Sequence, residues 1–302
     1  FKHSESALVF NTGYMTNLGI LYGLLQTGDV VFSDELNHAS IIDGCRISRC
    51  KVVVYKHNDM ADLQRLLETE IVTGQRLIVT DGVFSMDGDI ADLPSLAVLK
   101  KQFNAFLIVD DAHGVGVIGN DGSGTASHYG LTDVIDLQVG TLSKALAAEG
   151  GYVAGKKILI DYLINRSRPF IFSTALAPAT LAAANAALLL LQTQASKYID
   201  SLRANSRLMR RLLLEGGLNV VEGITPIIPV VIGEAGLTMQ FADRLKSKGI
   251  LVSGIRPPTV PRGESRLRIT VTAAHCEEQL RQAAQIITAL WQELKHGEKK
   301  EG

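Results

Sequence analysis

Short apolar runs alternate with amphipathic stretches between Val52 and about Gly155. The runs are rich in β-branched or aromatic residues and are bounded by turn residues, so they favour strands at residues 52–55, 77–80, 106–109 and 136–139. Between them, residues 60–69 and 93–103 space Leu, Ala and Val as a helix does. Strands that alternate with helices predict an α/β fold with a mainly parallel sheet, covered on both faces.

The polar residues that follow these strands predict where a ligand binds. In such sheets the ligand crevice lies beyond the carboxyl ends of the strands. Asp81, Asp110 and the pair Gly140-Thr141 each stand at such an end. A site at this edge is therefore expected before any motif is considered.

The chain after Pro178 has a different pattern. An Ala-rich helix runs to about Glu215, and it is followed by predicted strands at residues 227–232 and 266–271 and helices at 237–248 and 277–295. This order predicts a smaller α+β domain. We place the large domain at residues 1–175 and the small C-terminal domain, with its linking helix, at residues 176–302.

Composition limits the classes of partner. Of the 302 residues, 46% are hydrophobic and 20% charged, and the net charge of −1 gives no field that would concentrate nucleic acid or an anionic membrane. No apolar run is long enough to span a bilayer. The odd set Cys45, Cys50 and Cys276 lacks paired metal-ligand spacing and indicates free thiols in a reducing compartment. We expect a cytoplasmic protein that binds neither nucleic acid nor membrane.

Lys144 ends a short turn after an apolar strand, in the run Gly140-Thr141-Leu142-Ser143-Lys144. Alone it is compatible with an ordinary solvated lysine. The small residues at 145–148 and 150–151 leave room for a bulky planar group. A lysine in a desolvated pocket has a lowered pKa and becomes nucleophilic.

Two carboxylates and a histidine follow the strand at 106–109, in Asp110-Asp111-Ala112-His113-Gly114. A metal site would need a further ligand at proper spacing, and none is nearby in the sequence. Asp110 as a simple turn cap is a second possibility. The third is a cofactor clamp, in which a buried carboxylate keeps a pyridine nitrogen protonated so that the ring accepts electrons.

Two further segments carry weaker signals. In residues 11–17, Gly13 precedes an apolar helical run from Leu18 to Leu25, and the start of a helix can bind an anion through its N–H groups and dipole. His38, in residues 34–40, fits a buried core histidine, but an imidazole can also lie flat on a pyridine ring.

Four motifs in this order resemble the α-oxoamine synthases, which belong to the aspartate-aminotransferase-like, fold-type I pyridoxal-phosphate enzymes. The motifs are Asn37-His38-Ala39-Ser40, Asp81-Gly82-Val83-Phe84-Ser85-Met86-Asp87-Gly88, Asp110-Asp111-Ala112-His113-Gly114 and Thr141-Leu142-Ser143-Lys144. The resemblance covers nearly the whole chain, although family members carry a further segment before the position of Phe1. It implies that fold for the large domain and pyridoxal 5'-phosphate as the cofactor.

The resemblance also implies catalytic roles for four residues. Lys144 is expected to hold the cofactor as a Schiff base and to remove and return the α-proton of the substrate. Asp110 is expected to pair with the pyridine nitrogen and His113 to bond the ring hydroxyl oxygen. His38 is expected to stack on the cofactor face.

Further cofactor contacts are implied in the same way. Ser85 and Thr141 would help to anchor the cofactor. The backbone of Gly13 and Tyr14 would lie near its phosphate.

Partner and substrate contacts complete the implied site. Ser173 and Thr174 resemble residues that reach the phosphate of the neighbouring subunit, which implies a homodimer with shared active sites. His38 and Thr259 would bind substrate, and Arg268 would grip the amino-acid carboxylate because its forked guanidinium suits a planar anion.

Within the family, residues 254–261 and 266–275 are similar to the acyltransferases that condense L-alanine with a pimeloyl thioester, carried by coenzyme A or by acyl carrier protein. The alternative is the branch that joins glycine to acetyl-CoA, whose segment usually lacks the Arg-Pro-Pro-Thr run of residues 256–259. Two other classes stay open. One is a non-catalytic scaffold subunit, although such subunits lack the lysine, and the other is a metal-dependent hydrolase built on Asp110, Asp111 and His113.

Overall fold

The computed structural model describes residues 1–298, and the chain divides into two units. Unit 1 consists of Phe1–Phe84 and Ile90–Ser196, and unit 2 consists of Ser85–Asp89 and the chain from Lys197 onward. The domain boundary between residues 175 and 176 stays a prediction from the sequence. Among the described residues, no helix is long and apolar enough to cross a membrane.

Unit 1 is built on a seven-stranded sheet. Its strands are β1 (Ser6–Phe10), β2 (Val30–Asp34), β3 (Lys51–Tyr55), β4 (Arg76–Asp81), β5 (Phe106–Asp110), β6 (Leu137–Thr141) and β7 (Gly151–Gly155). Its helices are α1 (Gly13–Leu24), α2 (Ala39–Ser48), α3 (Met60–Thr69), α4 (Leu93–Gln102), α5 (Thr125–His128), α6 (Lys157–Arg166), α7 (Arg168–Ile171) and the first part of α8 (Pro178–Glu215).

The strand order of the sheet is β1-β7-β6-β5-β4-β2-β3. Strands β2 to β6 run parallel, whereas β7 pairs antiparallel with both β6 and β1. The predicted α/β fold with a mainly parallel sheet is confirmed. The antiparallel edge was not predicted, because the Gly-Tyr-Val-Ala-Gly sequence of β7 has a single β-branched residue and two glycines.

Helices cover both faces of this sheet. Along β5, Leu107 and Val109 pack in one core with residues of α3 and α4, whereas Ile108 packs in another core with residues of α1, α2 and α6. Because β4, β5 and β6 run parallel, their carboxyl ends meet at one edge of the sheet.

Unit 2 contains a three-stranded antiparallel sheet, in the order β8-β10-β9, with helices. Its elements are β8 (Ile227–Gly233), α9 (Ala235–Ser247), β9 (Ser253–Ile255), β10 (Ser265–Thr270), α10 (Glu277–Glu298) and the last part of α8. Its core is apolar, and the rings of Phe241 and Trp291 stack with centroids 5.7 Å apart. Helix α8 is interrupted at Gln194 (φ −137°, ψ 21°), where the sequence predicted an unbroken helix.

The short segment Ser85–Asp89 belongs to unit 2 although both of its chain neighbours belong to unit 1. Arg266 of β10 forms an ion pair with Asp87. Thr225 Oγ1 donates a hydrogen bond to the Gly88 carbonyl oxygen over 2.7 Å. These contacts tie the segment to the sheet of unit 2.

Candidate active site

Three polar residues end neighbouring strands of unit 1. Asp81, Asp110 and Thr141 are the last residues of β4, β5 and β6, and none is more than 6% exposed. Asp81 and Asp110 are direct partners in the register of β4 and β5. The parallel order therefore brings two buried carboxyl groups together at one edge of the sheet.

A hydrogen-bond network links Asp110 to His38. Asn17 Nδ2, on α1, donates to Asp110 Oδ2 over 2.6 Å and to Ser40 Oγ over 2.9 Å. Ser40 Oγ lies 2.7 Å from His38 Nδ1. The other Asp110 oxygen accepts from the Ala112 N–H over 3.0 Å. The carboxylate is thus held in place on both oxygens.

His38 stands at the N-cap of α2 and is exposed. Its Nδ1 also faces the Ser40 N–H at 3.2 Å. Because Ser40 Oγ accepts a hydrogen bond from Asn17 Nδ2, its own hydroxyl hydrogen can be donated to His38 Nδ1. Two donors at Nδ1 place the proton of the neutral ring on Nε2.

Asp81 connects the same network to β4. Its Oδ2 accepts from the His38 N–H over 3.0 Å, and its own N–H donates to Asn37 Oδ1 over 2.8 Å. Burial, followed by the charge of Asp110, raises the pKa of the Asp81 carboxyl well above its usual value. The positive charge of Lys144 offsets a small part of this increase in the pKa.

The turn after β6 carries Thr141 and Lys144. Thr141 Oγ1 donates to the Gly150 carbonyl oxygen over 3.0 Å, lies 2.7 Å from Ser143 Oγ, and accepts from the Ser143 N–H over 3.2 Å. Lys144 is exposed. The Lys144 side chain is therefore not desolvated in the single chain, and its role as the nucleophilic lysine stays a prediction.

The start of α1 lies beside the end of β6. A Cβ on Gly13 would stand 3.4 Å from Thr141 Cβ, and a Cβ on Gly151 would stand 2.6 Å from the Gly13 nitrogen. Thr12 Oγ1 caps the Met15 N–H over 3.1 Å. The first N–H groups of a helix have no acceptor within it, so those of Gly13 and Tyr14 suit an anion.

The Tyr14 side chain points to a different partner. Its hydroxyl donates to Asp43 Oδ2 over 2.5 Å. This hydrogen bond raises the pKa of the Tyr14 phenol and lowers the pKa of the Asp43 carboxyl. The sequence predicted a cofactor contact from the backbone of Tyr14, not from its side chain, and that contact stays a prediction.

Ser173 and Thr174 follow α7 in a segment of unit 1 that is neither helix nor strand. Thr174 is exposed and Ser173 half-buried. Asn11 Nδ2 donates to the Thr174 carbonyl oxygen over 2.8 Å. Their role toward a second subunit stays a prediction.

Asp111 differs from Asp110 in every contact. Its carboxylate lies 3.1 Å from Lys2 Nζ and accepts from Thr125 N and Oγ1. Its neighbour His113 is half-buried in the turn after β5. Among the residues whose side chains the structure describes, no group of three or more His, Cys, Asp or Glu could hold a metal ion. The hydrolase alternative, which needs Asp110, Asp111 and His113 as one ligand group, has no such group there.

Three of the predicted site residues lie in unit 2, namely Ser85, Thr259 and Arg268. Arg268, on β10, donates from Nε to the Ser85 carbonyl oxygen and from Nη1 to Thr270 Oγ1 over 3.1 Å. Burial lowers the pKa of the Arg268 guanidinium. Thr259 is exposed and its N–H donates to the Arg256 carbonyl oxygen over 3.1 Å.

Sequence reasoning assigned no role to Asn17 and Ser40, which join His38 to Asp110. Both stand in motifs that the sequence singled out, residues 11–17 and 37–40, so a signal was present. Their partnership was hidden because Asn17 and Asp110 are 93 positions apart and meet only through the fold.

Comparisons with known proteins show the family to which the chain belongs. The family described as aminotransferase class I and II matches residues 1–287. The 8-amino-7-oxononanoate synthase of Lysinibacillus sphaericus is 50% identical over 280 residues, which is 93% of this chain and 72% of that protein. The protein of the same name from Trichlorobacter lovleyi is 51% identical over 295 residues, covering 97% of this chain and 75% of its own length.

A solved structure extends the agreement to three dimensions. A serine palmitoyltransferase variant from S. paucimobilis, with a bound PLP–myriocin aldimine, superposes with a TM-score of 0.93 at 31% identity. The match covers 97% of this chain and 74% of that chain. The chain therefore belongs to the class I and II aminotransferase family and, within it, to the α-oxoamine synthases.

Proposed function

We propose that this enzyme is an acyltransferase that condenses L-alanine with a pimeloyl thioester and forms 8-amino-7-oxononanoate, a step of biotin biosynthesis. The observation that carries this proposal is the identity of about half of all residues, over 93% or more of the chain, to relatives named 8-amino-7-oxononanoate synthase. In the reaction, the α-carbon of alanine bonds to the thioester carbonyl carbon, the thiol leaves, and the α-carboxylate departs as carbon dioxide.

The residues at the strand ends of unit 1 fit pyridoxal phosphate. Asp110 is a buried carboxylate fixed by two donors, which suits a protonated pyridine nitrogen. The Gly13 and Tyr14 N–H groups, beside Thr141, suit a phosphate. When bound, pyridoxal phosphate supplies an electron sink for the pair left on the α-carbon as its proton or its carboxylate departs.

Lys144 moves the proton in this proposal. Its amine would hold the cofactor in the resting enzyme, would remove the α-proton of alanine once the amino acid has taken its place, and would later return a proton to the same carbon. Its exposure in the single chain leaves access for both cofactor and substrate. A second subunit would supply the missing cover.

Asp110, His113 and His38 would orient the ring. Asp110 would keep the pyridine nitrogen protonated, and His113 would bond the ring hydroxyl oxygen. His38 would lie against the ring face, and its Nε2–H would be able to donate to the substrate because Nδ1 is engaged by Ser40.

The phosphate and the subunit partner form a second group of proposed contacts. Ser85 and Thr141 would anchor the cofactor, and Ser173 and Thr174 would reach the phosphate bound to the neighbouring subunit of a homodimer. The exposed apolar residues around them, among them Phe172 at 71%, support burial of this surface in a subunit interface.

Arg268 and Thr259 are the proposed substrate residues, together with His38. Arg268 keeps its planar guanidinium aligned through two hydrogen bonds, which suits a carboxylate. The carrier of the pimeloyl group, coenzyme A or carrier protein, and the cytoplasmic location remain predictions. Glycine C-acetyltransferase, which joins glycine to acetyl-CoA, is the alternative within the family.

A turnover panel tests the proposal. We expect product with L-alanine and pimeloyl-CoA, and much less with glycine or serine and with acetyl-CoA. Turnover restricted to glycine and acetyl-CoA would replace the proposal with its alternative.

The colour of the purified protein separates the other classes. It should be yellow, lose the colour with borohydride and be unaffected by chelators, whereas a colourless, chelator-sensitive protein would indicate a hydrolase. A scaffold subunit would show no response to any amino acid after pyridoxal phosphate is added.

A further inference from the structure

Lys2 and Asp111 form a buried ion pair next to Asp110. Lys2 Nζ lies 3.1 Å from Asp111 Oδ2, and the two side chains are 6% and 2% exposed. The Lys2 ammonium also donates to the Ser123 carbonyl oxygen. Charged groups are buried this deeply only when they are paired, because desolvation is otherwise too costly. The proposed reaction uses neither residue, so the pair needs another explanation.

The Asp111 carboxylate is enclosed on several sides. Thr125 N donates to Oδ2 over 3.0 Å and Thr125 Oγ1 donates to Oδ1 over 2.9 Å. A Cβ added to Gly82, Gly114 or Gly124 would stand 2.9, 2.0 or 1.6 Å from its oxygens. The close approach of these three glycines leaves the carboxylate one position, with one oxygen facing Lys2.

Asp111 also fixes the main chain of the turn that follows β5. Its N–H donates to the Val139 carbonyl oxygen over 2.9 Å, and its carbonyl oxygen accepts from the Gly114 N–H over 2.9 Å. Inside this turn the Ala112 N–H reaches back to Asp110 Oδ1 over 3.0 Å. The orientation of the Asp110 carboxylate therefore depends on the turn that Asp111 holds.

We propose that Lys2 is a positioning residue for the cofactor site, since through Asp111 it holds the turn that carries Asp110 and His113. This inference rests on the proposed function, in which those two side chains contact the cofactor ring. The Lys2 ammonium also balances the charge of Asp111, in a region where Asp81 and Asp110 already place two carboxyl groups side by side.

The test uses three variants of the whole chain. Lys2→Met keeps the length of the side chain but removes the ammonium. The double variant Lys2→Met/Asp111→Asn removes both charges. Lys51→Met is the matched control, because Lys51 pairs with Glu70 at the surface and is 58% exposed. Each protein, freed of cofactor, is titrated with pyridoxal phosphate, and the absorbance of the bound cofactor is then followed against pH.

We expect Lys2→Met to bind pyridoxal phosphate about tenfold more weakly, because the turn loses its anchor. Asp111, without its partner, would leave a negative charge near the bound cofactor, which favours the protonated form. The absorbance midpoint should move up by about half a pH unit. The double variant should return the midpoint towards that of the wild type, and Lys51→Met should match the wild type in both measurements.

Three results would overturn the positioning role. One is wild-type affinity and midpoint in a folded Lys2→Met variant. Another is an unchanged midpoint in both Lys2 variants together with a lowered melting temperature, which marks a purely structural pair. If Lys2→Met does not fold, the double variant decides, because affinity equal to that of Lys51→Met would contradict the role. Failure of the wild type to bind pyridoxal phosphate would instead refute the proposed function, and this inference with it.

Discussion

The edge of the unit 1 sheet buries polar side chains, whereas the core of unit 2 buries apolar ones. At the edge, Asp81, Asp110 and Asn17 are all nearly inaccessible to solvent and are joined by hydrogen bonds. In unit 2 the buried cluster is made of apolar residues, with Phe241 stacked on Trp291.

The difference separates chemistry from stability. Burying polar groups costs free energy even when they are paired, whereas apolar burial stabilises the fold. Sites where a chain departs from the apolar rule are where function is expected. Substitutions at the edge of unit 1 should therefore reduce turnover more than stability, and substitutions in the core of unit 2 should do the reverse.

Lys144→Ala is the strongest test of this contrast between turnover and stability. Because Lys144 is exposed and its amine carries the proposed proton transfers, we expect turnover to fall by more than about 10⁴-fold. The circular dichroism spectrum and the urea midpoint should match those of the wild type. Turnover within tenfold of the wild type would remove the catalytic assignment, and a lowered urea midpoint would show that the edge also serves stability.

In unit 2, Phe241→Ala should act on stability. Phe241 is fully buried, and the cavity left by its ring should lower the free energy of unfolding by about 3–5 kcal/mol, measured in urea. Leu251→Ala is the control, because Leu251 is 85% exposed and its truncation should change that free energy by less than about 0.5 kcal/mol. Equal effects of the two substitutions would contradict the importance of this core.

A smaller effect is expected from Asn17→Ala. The change removes the donor shared by Asp110 and Ser40, and a hydrogen bond to a charged group contributes about 1.5–3 kcal/mol. We expect kcat/KM for L-alanine to fall by about tenfold or more. Asn165→Ala, on the exposed face of α6, should leave kcat/KM unchanged. Equal rates for the two variants would show that the network does not support the reaction.

The smallest effect concerns the pH dependence of stability through Asp81. Burial, with the charge of Asp110, raises the pKa of Asp81, so the folded protein holds this proton more tightly than the unfolded chain does. The stability that this gives is present below the unfolded pKa of about 4 and is lost as the pH rises through the folded pKa.

Asp81→Asn removes this titration. The unfolding free energy of the cofactor-free variant, relative to that of the cofactor-free wild type, should therefore increase as the pH rises above about 4. Urea titrations over a series of pH values measure this difference. Asp161→Asn, on the exposed side of α6, is the control. A difference between Asp81→Asn and the wild type that stays constant with pH would contradict the assignment.

Much of the sheet could be predicted because its signals are local. Strands β3 to β6 are short apolar runs, and their ends hold the polar residues that the parallel order brings together. Strand β7 was not predicted, because its short, glycine-containing sequence becomes a strand by pairing with β1 on one side and with β6 on the other. The break of α8 at Gln194 could not be predicted, because no Gly or Pro stands near it in the sequence.

The site was predictable in its motifs but not in its connections. The motifs at residues 37–40, 110–114 and 141–144 predicted which segments contribute side chains to the candidate site. The order of the hydrogen bonds from His38 through Ser40 and Asn17 depends on the packing of α1 and α2 against β5, which no single segment encodes. The small residues that follow Lys144 predicted room for a planar group, but they did not predict how exposed the lysine is in the single chain.

The membership of Ser85–Asp89 in unit 2 affects the order in which the protein can fold during synthesis. Asp87 leaves the ribosome 179 positions before its partner Arg266. Unit 2 cannot be completed during synthesis until β10 has emerged, so its assembly depends on a late, long-range closure. A fragment that begins at Lys197 would lack Asp87 and leave Arg266, which is 4% exposed, with only one of its two carboxylate partners. One cut therefore cannot release unit 2 intact.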